Sequence, residues 1–109
     1  MHSVVVPIHN EAGTIVELHK RLVQVMKELG ENFELIFVND GSTDDTAKLL
    51  ETLQPLTVIT FRKNFGQTAA LDAGIKQAKG DLVITLDGDL QNPPEEIPRL
   101  IRYLQDQSL

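Results

Sequence analysis

The chain has 109 residues, of which 41% are hydrophobic, which suits a single domain with one buried core. Its formal charge of −6 withholds the basic face that a nucleic-acid binder needs, and the absence of cysteine excludes disulfides, thiolate catalysis and zinc–thiolate sites. No apolar run approaches the roughly 18 residues of a membrane span, and Pro7 cuts the first run short, so the start reads as a strand rather than a leader peptide.

Ser3 to Ile8 is the first of four short Val/Ile/Leu/Phe-rich runs; Phe33 to Val38, Leu56 to Phe61 and Leu82 to Leu86 follow. They show little polar alternation, as expected of parallel strands covered on both faces. Between the first two, Ile15, Leu18, Leu22, Met26 and Leu29 recur at helical spacing. Thr14 to Glu17 has the spacing of a capping box, and Gly30 suits the stop. Ser42 to Asp45 offers an N-cap and first-turn acids for a second helix through about Leu53. A third helix, Gln67 to Lys79, stacks Leu71, Ile75 and Ala78 and ends at Gly80. The last begins near Ile97, where Pro98 is tolerated in a first turn, and turns Leu100, Ile101 and Leu104 to the core. His2 reads as terminal and His19 as a helix-surface residue. The order βαβαβαβα implies right-handed crossovers and an open, three-layer α/β/α sheet.

The unusual polar residues follow strands. Pro7-Ile8-His9-Asn10-Glu11 follows the first, Asn39-Asp40-Gly41-Ser42 the second and Asp87-Gly88-Asp89-Leu90-Gln91 the fourth. Ligands of open α/β sheets bind at these carboxyl ends, where strand order reverses. Asp87 and Asp89 repel each other unless a cation lies between them, and hard oxygen ligands suit Mg²⁺ or Mn²⁺. Gln91 adds a neutral oxygen. The plain alternative for each is a solvated turn, with Asp89 capping it. Asp40 is placed to accept hydrogen bonds from a base or ribose, or to serve as a turn residue before Gly41. Glu11 can reach a nucleotide or complement a helix dipole. Arg62 and Lys63, before a helix N-terminus, can attract phosphate or simply keep an edge strand soluble.

Taken together, these motifs resemble family 2 glycosyltransferases, especially the branch that transfers sugars to polyprenyl phosphates. The resemblance rests on Val5 to Glu11, Val38 to Asp44, Arg62 to Gln67, Gly80-Asp81 and Asp87 to Glu95, in that order, and covers nearly the whole chain. It implies the N-terminal, nucleotide-binding half of a GT-A fold with parallel strand order 3-2-1-4. It implies a UDP- or GDP-linked sugar donor held by Pro7, His9, Glu11, Asp40, Lys63 and Asp87. Asp87, Asp89 and Gln91 would hold Mg²⁺ or Mn²⁺, with Asp89 the residue on which catalysis turns. His9 stands where an aromatic residue is usual, and Asn39-Asp40 where two aspartates are usual.

The acceptor implied is a lipid phosphate, at the cytoplasmic face of a membrane. The alternating pattern runs to the last residue, so residues 1–109 are expected to be the donor-binding half of a longer enzyme, inactive alone and prone to pair as a homodimer through the region around the fourth strand and the last helix. The alternative from another class is a non-catalytic nucleotide-binding or interaction module. A dinucleotide-binding Rossmann domain is disfavoured because no G-x-G-x-x-G follows any strand.

Overall fold

The computed structural model describes residues 1–107; residues 108 and 109 of the expected domain lie outside them. The elements are β1 (His2–Ile8), α1 (Ile15–Glu28), β2 (Phe33–Asn39), α2 (Thr46–Leu50), β3 (Thr57–Thr60), α3 (Gln67–Gln77), β4 (Leu82–Thr85) and, after a 3₁₀ turn at Pro94–Glu96, α4 (Ile97–Gln107). All strand pairs are parallel and the sheet order is β3-β2-β1-β4, as the resemblance implied. The chain steps outward from β1 to β3, then returns across to place β4 on the other side of β1. Strand order therefore reverses at β1, and the switch point opens between β1 and β4.

Alternation along the strands divides the core in two. Val4, Val6, Ile8, Leu35, Phe37 and Ile84 face α1, α2 and α4. Val5, Ile36 and Val38 face α3. Both faces of β1 and β2 are covered, which is why those central strands lack polar alternation, while β3 and β4 at the edges are more open. Among the described residues no helix is long and apolar enough to cross a membrane.

Packing corrects several sequence-based expectations. In α3 the buried residues are Ala70 and Gly74, while Ile75 is 47% exposed. A Cβ at Gly74 would sit 2.3 Å from Val5 Cγ1, so small residues bring this helix close to the sheet. Ile75, one residue on, is rotated about 100° away from that contact. In α4, Ile97 and Ile101 make the core contact, and Leu100 and Leu104 lie exposed on its flank. His19 is buried: its Nε2 donates to the Pro55 carbonyl at 2.9 Å, and its ring meets Phe37 edge-on. His2 is buried as well, within β1, with Nε2 2.6 Å from Glu31 Oε2.

The two expected helix starts also differ. Thr14 precedes α1 but makes no capping bond with its side chain. Its hydroxyl lies against Glu11 and the Gly88 carbonyl instead, and the Glu11 carbonyl accepts the amides of Thr14 and Ile15. The second helix is one short segment. Its end tightens into turns in which Thr52 N donates to Leu49 O and Leu53 N to Leu50 O.

Candidate functional site

A cleft of about 360 Å³ opens at the carboxyl edge of the sheet. Pro7, Ile8, His9 and Glu11 line it after β1, Asp40 after β2, Asn64, Gly66 and Gln67 after β3, and Asp87, Gly88 and Asp89 after β4. All four strand ends contribute. The expected residues Pro7, His9, Glu11, Asp40, Asp87 and Asp89 are thus brought together. Lys63 and Gln91 are not among the lining residues: Lys63 Nζ lies over the Phe65 ring, 5.2 Å from its centre, and Gln91 is exposed beyond the turn at Asp89.

The β1 and β2 loops are joined by side chains of short reach. Asn10 has φ +51, a left-handed conformation that asparagine tolerates better than most residues. Its Oδ1 accepts from the amides of Thr43 at 2.8 Å and Asp44 at 3.3 Å. Its own amide donates to Ser42 Oγ, and the next amide, of Glu11, donates to Thr46 Oγ1. Ser42, expected near a helix cap, serves this network instead, whereas Asp44 accepts the Thr46 amide at the start of α2. Hydrogen bonds from the Thr46 hydroxyl and amide hold the Asp44 carboxyl below its ordinary range. Asn39, in place of the family's usual aspartate, is buried and accepts the Ser42 amide at 3.1 Å.

Asp40 is 3% exposed, and its carboxylate accepts the amides of Phe65 at 2.7 Å and Gly66 at 3.0 Å. It ties the β3–α3 loop to the cleft wall while leaving carboxylate lone pairs unused. Gly41 makes the approach possible: φ is +65, and a Cβ there would lie 2.2 Å from the Lys63 carbonyl carbon. A carbonyl oxygen only accepts, so His9 Nδ1 donates to Asp40 O at 2.8 Å. The contributions of Asn64, Gly66 and Gln67 went unremarked in the sequence. The only signal was their place in Arg62 to Gln67, after a strand.

The β4 loop is more open. Asp87 Oδ1 accepts from Gln67 Nε2 at 3.1 Å and Oδ2 from Asn92 Nδ2 at 3.3 Å. Asp89 is exposed, and its Oδ1 accepts the Gln91 amide at 3.1 Å, forming the local turn weighed against a ligand role above. Gly88 is buried against Ile8 and the Pro7 carbonyl; a Cβ would lie 2.8 Å from Ile8 Cδ1. Thr14 Oγ1 lies 3.0 Å from Glu11 Oε2 and 3.2 Å from the Gly88 carbonyl oxygen. At the far end Arg21 makes a two-pronged bond to Glu95, which holds the Glu95 carboxyl below its ordinary range.

Among the described residues no three His, Cys, Asp or Glu side chains are grouped to hold an ion by themselves. The donor set nevertheless fits Mg²⁺ or Mn²⁺. Asp87 and Asp89 present hard carboxylate oxygens on one cleft wall, and Mg²⁺ typically takes one or two carboxylates, with phosphate and water supplying the rest. Such a site is completed by its anionic ligand.

The chain matches the model of glycosyl transferase family 2 over residues 3–108. It is 49% identical over 109 residues to an undecaprenyl-phosphate 4-deoxy-4-formamido-L-arabinose transferase of Proteus mirabilis, covering 95% of this chain and 33% of the relative. The chain thus spans about a third of the length of the curated relatives it matches. Among solved structures, a mannosyltransferase from Pyrobaculum calidifontis in complex with GDP-Man and Mn²⁺ superposes with a TM-score of 0.78 at 26% identity, over 94% of this chain and 32% of that one. Glucosyl-3-phosphoglycerate synthase from Mycobacterium tuberculosis, in complex with Mn²⁺, UDP and glucosyl-3-phosphoglycerate, gives 0.74 at 29% identity, over 95% and 39%.

Proposed function

The chain belongs to glycosyl transferase family 2, and from that premise we propose that its cleft binds the nucleoside and diphosphate of a UDP- or GDP-linked sugar. The observation that carries this is the meeting of two aspartates after β4 with Pro7, Glu11 and Asp40 in one cleft at the switch point. Pro7, His9, Glu11 and Asp40 form the nucleoside wall, and the β3–α3 loop that Asp40 anchors closes its side. Asp87 and Asp89 would hold a divalent cation on the diphosphate side of the cleft. Bound Mg²⁺ or Mn²⁺ would supply neutralisation of the charge that develops on the leaving nucleoside diphosphate.

The chain's own task is to hold the donor so that its anomeric carbon is open to attack on the face opposite the diphosphate. In the whole enzyme a polyprenyl phosphate oxygen forms the new bond to that carbon as the old carbon–oxygen bond breaks. Its electron pair leaves with the nucleotide, and configuration inverts. The attacking oxygen is already anionic, so no strong general base is required. The similarity to undecaprenyl-phosphate transferases supports this acceptor class, and a lipid acceptor paired with a nucleotide-linked donor is consistent with action at the cytoplasmic face of a membrane. The isolated chain binds the donor and does not turn it over.

Titration of UDP and GDP with and without Mn²⁺, in the natural chain and in Asp89→Ala, tests the reading. Binding should tighten with Mn²⁺ and lose that response in the variant. Binding that ignores both the metal and the substitution refutes it.

A further inference from the structure

One face of α1 reaches both ends of the β4 loop. Thr14 and Arg21 are seven residues apart, two helical turns, with buried Leu18 between them. Thr14 Oγ1 meets the Gly88 carbonyl, between the two aspartates, at 3.2 Å. Arg21 takes Glu95 by both carboxylate oxygens, with Nε donating to Oε2 at 2.9 Å. Inside this bracket Leu90 has φ +66, a left-handed conformation that leucine seldom adopts. Such a residue persists where its surroundings fix it from both sides. Leu90 packs on the core beneath, and Pro94 is buried beside the clamp.

We propose that Arg21 and Glu95 are positioning residues for the cation site, their two-pronged pair fixing the far end of the loop and so the placing of Asp89 relative to Asp87. The inference rests on the reading of this cleft as a cation–diphosphate site. An ion shared by only two protein carboxylates is sensitive to their separation, because no further protein ligand compensates when one drifts. The pair itself is partly exposed, with 31% and 53% of the two side chains open to solvent. Exposed pairs contribute little to global stability. The clamp's effect is therefore confined to the loop it holds.

Arg21→Ala, Glu95→Gln and the double variant test this by two measurements. The first is amide hydrogen exchange across Leu90 to Glu96 without metal or nucleotide. The second is UDP and GDP affinity with and without Mn²⁺. Exchange should quicken in both single variants at nearly unchanged melting temperature. The Mn²⁺-dependent gain in affinity should fall about tenfold, the lower end for partners that orient metal ligands, while metal-free affinity holds. The double variant should be no worse than either single one, as for two residues acting as a unit. Unchanged exchange, equal losses with and without Mn²⁺, or additive effects in the double variant each overturn the proposal. Asp89→Ala separates the two levels. If it removes the Mn²⁺ response and the clamp variants leave that response intact, the proposal fails alone. If the natural chain never responds to Mn²⁺, the reading of the site fails and the proposal with it.

Discussion

The two walls of the cleft are built differently. The wall formed after β1, β2 and β3 is cross-linked at short range: Asn10, Ser42, Asp44 and Thr46 join two loops, and buried Asp40 holds a third. The wall formed after β4 exposes Asp89 and Gln91 and is tied to the rest of the chain at separate points, by Gln67 at Asp87, Thr14 at Gly88 and Arg21 at Glu95. On the proposed reading the first wall meets the nucleoside and is fixed before any ligand arrives, whereas the second would meet a cation that the diphosphate itself helps to hold. Damage to the first wall should therefore unfold, and damage to the second should unbind.

Gly41→Ala should give the largest effect. It forces a side chain onto φ +65 and into the Lys63 backbone, and we expect a loss of roughly 3 kcal/mol or more in thermal or urea unfolding. A variant as stable as the natural chain would mean that the two loops do not lean on each other. Asp40→Ala comes next: orphaning the Phe65 and Gly66 amides should cost about 1–3 kcal/mol of stability in urea unfolding, and the lost charge-assisted acceptor about 1–3 kcal/mol of nucleotide affinity by calorimetry. Asn10→Ala should lose about 1–2 kcal/mol of stability, since it removes an acceptor for two amides and places alanine at positive φ.

Asp89→Ala, on the other wall, should shift unfolding by no more than about 0.5 kcal/mol, as for an exposed substitution, while the Mn²⁺ response disappears. A large stability loss there would erase the contrast between the walls. The smallest effect is one of pH. The Arg21 bond, foremost, lowers the Glu95 pKa from its ordinary 4.5. The clamp is therefore intact above 4.5 and is lost as pH falls through the lowered value. Titration of Glu95 by NMR should show a midpoint below 4.5 that moves up toward it in Arg21→Ala.

Strands were the most legible part of the chain. Pairing continues to Phe61 and Leu86, whose amides reach Asn39 and Val5 carbonyls, so even the expected ends were close. Motifs at strand ends were legible for the same reason: a buried apolar run stops where polar residues begin, and in a parallel sheet those stops share an edge. Helix faces were less so. In α3 a large residue, Ile75, was assigned inward, whereas Gly74 holds that place because the helix packs close to Val5. Thr14 had the spacing of a cap, yet its hydroxyl turns to Glu11 and Gly88. Asn64 and Gln67 were marked only by their place in Arg62 to Gln67 after a strand, which did not single them out as lining the cleft.

By itself the sequence determined the order of elements, the parallel sheet and the edge on which the candidate site residues gather, because hydrophobic period and chain punctuation act over a few neighbouring residues. Only the tertiary structure decided which polar groups meet. Arg21 and Glu95 are 74 residues apart and Asp40 lies 25 from the Phe65 amide it holds. No local pattern encodes such pairs. They follow from how far each loop reaches once the sheet has closed beneath it.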